Sequence, residues 1–255
     1  MRIAVIHGQM HHGSTYHAVH QLLEHYRTLD AGLEVNELFL PKDGPDPCVG
    51  CYQCFNKGES YCPHYDKVGP IVAALEQADL VVIGSPTYAF EMTGQLKTLF
   101  DHLSYMWLSH RPNGQMFRKQ GVVVSTTAGA GAKNVVKSLK RQLFWLGISQ
   151  VHGLAFRVGA RNWQEVNEKT RRHIATCTRR TASLTATRVS KAGPTWRERF
   201  MFGIMRKMQA GNTWAEHDRA HWEKHGWLGK TRPWKTTPSA PPTQAQNQDQ
   251  AHSRP

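Results

Sequence analysis

The fold is decided by residues 78–103, ADLVVIGSPTYAFEMTGQLKTLFDHL. Leu80-Val81-Val82-Ile83 is a short apolar run, rich in β-branched residues and closed by Gly84-Ser85-Pro86. It predicts a strand buried on both faces, the kind a parallel sheet needs. A polar and aromatic loop follows, Thr87-Tyr88-Ala89-Phe90-Glu91-Met92-Thr93, and from Gly94 the spacing of Leu96, Leu99, Phe100 and Leu103 predicts a helix with one core-facing stripe. Open α/β sheets place a ligand beyond strand ends that pass into a helix through such a loop.

The same alternation extends in both directions. Residues 2–7 predict a first strand, and Gly8–Thr15 a glycine-bracketed turn into a helix with Val19, Leu22, Leu23 and Tyr26 on one face. A second strand, Leu33–Leu40, is closed by Pro41; a loop over 41–64 then leads to a helix at Val68–Gln77. Beyond the central stretch come a polar connector (Arg111–Lys119), a strand (Gly121–Thr126), a helix (Gly129–Leu146), a fifth strand (Ile148–Val158) and a basic helix (Trp163–Thr187). Five strands alternating with helices make an α/β chain with a parallel sheet, and right-handed crossovers put helices on both faces. The natural strand order is 2-1-3-4-5. Residues 1–190 are expected as the main domain, 191–230 as a helical, Trp-rich extension and 231–255 as a disordered tail rich in Pro, Gln, Thr and Ser.

Charge divides the chain. Residues 1–110 hold 6 Lys and Arg against 12 Asp and Glu, whereas 111–255 hold 26 against 7. No nucleic-acid motif accompanies the basic half, which is read as an aid to solubility and an attraction for a phosphorylated cofactor. No apolar run reaches the ~18 residues of a membrane span. The N-terminus enters a strand at once, which leaves no room for a secretory signal and predicts a cytoplasmic protein.

Gly8–Thr15 lies between a strand end and a helix start, where unpaired N–H groups and the helix dipole suit an anion; Ser14 and Thr15 can add hydroxyls. It is neither G-x-x-x-x-G-K-[ST], having no Lys at that position, nor G-x-G-x-x-G, so triphosphate hydrolysis is not expected and a dinucleotide fold is disfavoured. An ordinary capped turn fits these residues equally well.

Cys48-x2-Cys51-x2-Cys54-x7-Cys62-Pro63 is the most specific chemical signal in the chain. C-x2-C-x2-C lets one tight loop present three thiolates to one face of a cubane, as in the bacterial ferredoxin run, which also ends in Cys-Pro. Cys62 would then complete the same [4Fe–4S] cluster. Structural zinc prefers separated C-x2-C pairs and is the second choice; unligated thiols are the third reading. Cys177 stands alone in a basic helix and is read as a packing residue.

Taken together, these loops resemble the NADPH-dependent FMN reductases of the flavodoxin-like proteins, over about residues 1–160. G-S-P-T-Y at Gly84–Tyr88 with G-Q-L-K at Gly94–Lys97 carries the likeness most specifically, beside Gly8–Thr15 and Thr126-Thr127-Ala128-Gly129-Ala130-Gly131. The resemblance implies a flavodoxin-like three-layer αβα sandwich with FMN at the strand ends. The phosphate would sit on Gly8, Gln9, Met10, His11, Gly13, Ser14 and Thr15. Ser85, Pro86, Thr87, Tyr88, Ala89 and Phe90 would flank the isoalloxazine, and Thr126, Thr127, Ala128, Gly129 and Gly131 would meet its other edge. Gln9-Met10 stands where the family often has Ser-Pro, and Ala128 and Ala130 interrupt what is often a glycine run. The cysteine loop also resembles that of the iron–sulfur flavoproteins, a sister branch in which a [4Fe–4S] cluster lies near the FMN.

Three functions follow as expectations. The first is an FMN-dependent oxidoreductase that takes electrons from NAD(P)H and reduces flavin, quinone or a similar small-molecule acceptor, as a homo-oligomer. The second is an electron carrier fed by a ferredoxin-like donor through a cluster on Cys48, Cys51, Cys54 and Cys62. The third is a non-enzymatic module whose basic half meets nucleic acid. Near the C-terminus, Trp196, Phe200, Ile204 and Met208 recur at i+4 among Arg197, Arg199, Arg206 and Lys207. That spacing predicts an amphipathic helix packed on its own domain or on a second copy, with a membrane surface as the alternative.

Overall fold

The computed structural model describes residues 1–235. Its centre is a parallel sheet of five strands: β1 (Arg2–His7), β2 (Glu34–Phe39), β3 (Leu80–Pro86), β4 (Gln120–Thr127) and β5 (Gln150–Arg157). They lie in the order β2-β1-β3-β4-β5, as expected. Central β3 pairs with β1 through Ile6 and Ile83, and with β4 through Pro86 and Thr126. Its residues from Leu80 to Ser85 are buried, which is what an uninterrupted apolar run selects.

Alternation along the strands sorts the core into two layers. Ala4, Ile6, Val81, Ile83 and Val123 face one way, toward α3 (Tyr65–Gln77), α4 (Gly94–His102) and α5 (Ala132–Trp145). Ile3, Val5, Leu80, Val82, Val122 and Val124 face the other, toward α1 (Ser14–Leu29) and α6 (Glu168–Ala186). A short helix, α2 (Gln53–Asn56), lies in the cysteine loop. α6 begins at Asn167, whose side chain accepts the Thr170 N–H at 2.9 Å.

The connector departs from its polar reading. Arg111 and Lys119 are buried, as are Met116 and Phe117 between them. Lys119 donates to the Glu76 and Ala78 carbonyls, and Met116 joins the core under α3, α4 and α5. Arg111 and Phe117 instead meet α7 (Trp196–Ala210) and α8 (Glu216–Lys224), which form a third core in which Leu108 and Phe117 meet Phe202, Trp222 and Trp227. Trp234 joins it, 5.1 Å from the Phe202 ring, so the chain is packed as far as the described residues run. The rest of the expected tail, 236–255, lies outside them.

The side of α7 that its own domain buries is not the i+4 row. Glu198, Phe202 and Gln209 are buried, while the i+4 row Trp196, Phe200, Ile204 and Met208 is exposed and does not pack on its own domain.

Candidate functional site

Two concavities carry the chemistry. The first, a cleft of about 280 Å3, opens at the carboxyl ends of β1, β3 and β4, where the sheet order changes direction. Gln9, His11, Gly13, Ser14 and Thr15 line it from the first loop, Pro86, Thr87 and Tyr88 from the second, and Thr126, Thr127 and Ala128 from the third. Gly8, Met10, Ser85, Ala89, Phe90, Gly129 and Gly131 are not part of that wall.

Their positions explain why. Ser85 is fully buried; its hydroxyl donates to the Pro86 carbonyl at 2.9 Å and accepts the Thr93 N–H at 3.2 Å, which ties the strand end to the start of α4. Gly8 lies so close to α4 that a Cβ there would stand 2.5 Å from Leu96 Cδ1. Ala89 and Phe90 are the two central residues of a tight turn. Tyr88 and Glu91 exchange both backbone hydrogen bonds across it, at 3.0 and 2.9 Å. Both central residues have positive φ, 49° and 65°, a strained pair for non-glycine residues. Asn134 of α5 pins the turn by donating to the Phe90 carbonyl at 3.1 Å. Gly131, at φ 103°, sits beneath it, where a Cβ would stand 2.9 Å from Thr87 Cγ2.

The first loop ends at the uncapped N-terminus of α1. Gly13 provides no side-chain cap and no acid occupies the first turn, so the backbone N–H groups there suit an anion. Thr15 and Thr126 share a buried hydrogen bond of 2.7 Å that closes the cleft floor from both sides of β3. Thr87 is set by its N–H, which donates to the Thr126 carbonyl at 3.0 Å. Nitrogen donors, hydroxyls and an anion-ready helix end fit a phosphate-bearing cofactor.

Sequence reading missed His7, Tyr16, Gly84, Val158, Ala160 and Arg161, which also line the cleft. Val158, Ala160 and Arg161 follow β5, so the rule that ligands sit beyond strand ends applied to them as much as to the first three loops. His7 and His20 both contact one oxygen of Glu37, at 2.8 and 3.1 Å. Hydrogen bonds from His20 and His7 hold the Glu37 carboxyl well down, at about 2.

The second concavity, about 700 Å3, is lined by all four clustered cysteines together with His64, His102 and His110. Cys48 and Cys51 are exposed, Cys54 and Cys62 half-buried. Left-handed conformations at Gly50, Tyr52 and Gly58 fold the loop tightly enough to bring the four to one wall. The Nε2 of His102 donates to the Asp46 carbonyl at 2.8 Å, which leaves its Nδ1 as acceptor 3.7 Å from the Cys62 sulfur. Burial pushes both the Cys54 and the Cys62 thiol up, and Arg111 opposes this at Cys54.

The spacing of the sulfurs is informative. Among the described residues, the group of three or more candidate donors within 4.8 Å of one another is His7, His20 and Glu37. Zinc bound by four thiolates in one compact run would draw its sulfurs to roughly 3.8 Å apart at 2.3 Å bonds, and prefers separated C-x2-C pairs. Four thiols of a C-x2-C-x2-C-x7-C run on the wall of one roomy cavity fit a polynuclear cluster, whose thiolates radiate from separate irons.

The far wall of this cavity comes from the extension: Thr213, Trp214, Ala215, Glu216 and His217. Buried Asp218 accepts from Arg111 Nη1 at 2.8 Å and contacts His110 Nδ1 at 2.7 Å. Arg111 in turn donates to the Cys54 carbonyl. The carbonyls of Ser109, His110 and Pro112 accept from Gln209, Trp222 and His221 at 2.6, 2.6 and 3.0 Å. The extension thus grips residues 109–112 and reaches the cysteine loop through one arginine.

The family model for NADPH-dependent FMN reductase matches residues 1–162, which contain all the loops of the cleft and the whole cysteine run. The chain belongs to that family. It is accordingly an FMN-dependent oxidoreductase, and its family core ends where the basic second half begins to build the extension. An iron–sulfur flavoprotein of Clostridioides difficile is 27% identical over 170 residues, covering 66% of this chain and 72% of that protein. A second, from Methanocaldococcus jannaschii, is 36% identical over 72 residues, 28% of this chain and 36% of the relative's length. Among solved structures, an FMN-dependent NADH-azoreductase of Bacillus anthracis in complex with FMN superposes with a TM-score of 0.53 at 14% identity, over 71% of this chain and all of that one. At that identity the likeness shows the fold alone.

Proposed function

We propose that this oxidoreductase binds FMN in the cleft at the ends of β1, β3 and β4, and a [4Fe–4S] cluster on Cys48, Cys51, Cys54 and Cys62, and that it passes electrons between one-electron and two-electron partners. The observation that carries the reading is the cysteine wall: the four thiols of one C-x2-C-x2-C-x7-C run line a single cavity. The curated relatives named iron–sulfur flavoproteins support it.

Bound FMN supplies hydride acceptance and single-electron release in one group. The N–H groups at the start of α1, with Ser14 and Thr15, hold its phosphate. Pro86, Thr87 and Tyr88 fix one side of the ring and Thr127 and Ala128 the other. The Ala89-Phe90 turn keeps Tyr88 at the rim. At the cysteine loop, Arg111 places a positive charge against the Cys54 backbone, which favours an anionic thiolate set. Trp214 and its neighbours form the wall facing that set on the side of the extension.

A second reading makes NAD(P)H the electron donor to the flavin directly, with a quinone, flavin or similar acceptor. The exposure of Tyr88, 48%, favours it, because the cleft is open where a nicotinamide would stack. The two differ in what reduces the flavin. Anaerobic titration with NADPH, NADH and a reduced ferredoxin-type donor, followed by flavin bleaching, separates them. Bleaching by the one-electron donor that is lost when Cys54 becomes Ala supports electron entry through the cluster. Bleaching by the nicotinamides alone, equal in wild type and variant, overturns it.

A further inference from the structure

Helix α7 presents a face that its own fold leaves uncovered. Along it run Trp196, Phe200, Ile204 and Met208, exposed to 73%, 64%, 41% and 44%. Arg197, Arg199 and Lys207 are exposed beside them, with the Arg197 guanidinium 5.5 Å from the Trp196 ring centre. The one acid in the helix, Glu198, points inward and is buried against Ser149. Large apolar side chains and cations therefore share an outward surface on which α7 places no anion. Nor can the row be called a packing stripe facing the wrong way: the inward side is already filled by Phe202, Glu198 and Gln209.

We propose that α7 docks on an anionic lipid bilayer surface, lying in the headgroup plane. Trp and Phe gain by leaving water at that depth, and Arg and Lys reach phosphates and carboxylates of the headgroups from the same face. The half of the chain that contains α7, with 26 Lys and Arg against 7 Asp and Glu, supplies the long-range attraction. A second copy of the chain is a poorer occupant. A two-fold contact would set this face on itself and oppose its own cations. No described helix is long and apolar enough to cross a membrane, so the contact is with the surface.

Cosedimentation of the full chain with vesicles tests this. Phosphatidylcholine vesicles carrying about a third phosphatidylserine should bind it, and pure phosphatidylcholine vesicles should bind about tenfold less or weaker. Trp196→Ser with Phe200→Ser removes two exposed side chains without touching any buried contact, and should lower binding to the anionic vesicles by about tenfold or more. Arg197→Gln with Lys207→Gln should lower it by a similar factor and flatten its salt dependence. Binding to anionic vesicles that survives Trp196→Ser/Phe200→Ser would overturn the proposal, because the basic surface at large would then be responsible. Equal binding to both vesicle types would overturn it too, as would capture by polyglutamate without vesicle binding. A concentration-dependent dimer or larger assembly that the same double variant dissolves, again without vesicle binding, would assign the face to self-association instead.

Discussion

The cleft and the cysteine cavity lie in one chain but are built in different ways. Every wall of the cleft comes from residues 7–161, from loops that begin where strands end. The cavity needs three pieces, the loop around 48–64, the stretch 101–110 and the segment 213–217, with Arg111 and Asp218 joining the last to the first. A site made by strand ends inherits its rigidity from the sheet. One made by a loop and a late-arriving arm inherits it from an ion pair and a few hydrogen bonds. The cleft should therefore tolerate damage to the extension, and the cavity should not.

The largest effects come from crossing the two sites. Cys54→Ala should reduce cluster iron to near zero and leave FMN content unchanged, measured by iron assay and flavin fluorescence. Ser14→Asp should do the reverse. A carboxylate in the first turn of α1 repels the flavin phosphate, weakening FMN binding by about a hundredfold with iron retained. If either substitution removes both groups, the sites are not separable.

Asp218→Ala is next. It leaves buried Arg111 with only the exposed Glu59 carboxylate at 3.7 Å, which costs on the order of 3 kcal/mol in denaturant unfolding. It should also speed iron loss in air while FMN dissociation stays at the wild-type rate; Asp218→Asn should fall between. Equal effects on both cofactors would contradict the division.

Glu198→Gln probes the extension without touching either site. Burial pushes the Glu198 carboxyl up to about 8 despite its bond to Ser149. Between the ordinary value of 4.5 and about 8, the folded protein keeps a proton that the unfolded chain releases, so stability falls as pH rises through that window. Gln removes this slope and should stabilise at pH 7 by on the order of 3 kcal/mol, read as a pH series of unfolding midpoints. The smallest effect is expected at Gly131→Ala. The left-handed backbone and the contact with Thr87 cost about 1–3 kcal/mol, and the displaced Thr87 loop should weaken FMN about tenfold without changing iron content.

Much of this architecture is legible in the sequence for one reason: a strand buried on both faces has to be apolar throughout. Leu80–Ile83 and Val122–Val124 announce themselves in that way, and the alternation of strands and helices then fixes a parallel sheet. The first three cleft loops follow from their place after strands, and the cysteine run from its spacing. The clamp on the cysteine loop was hidden because Arg111 and Asp218 are 107 residues apart and each looks like an ordinary surface charge. Periodicity misled at α7 for a related reason. An i+4 row shows that a helix is two-sided but not which side meets the domain, and here the domain takes the side with Phe202, Glu198 and Gln209. Ser85 reads as a ligand-facing hydroxyl and instead ties β3 to α4, since a buried hydroxyl beside an unpaired N–H closes locally.

The central claim is that one chain holds a flavin in its sheet-end cleft and a four-thiolate cluster in the neighbouring cavity. The most direct test is the content of FMN, iron, acid-labile sulfide and zinc per chain after anaerobic purification. The account predicts one FMN with about four iron and four sulfide, and no stoichiometric zinc. One FMN with zinc in place of iron, or with no metal and four reactive thiols, would contradict it.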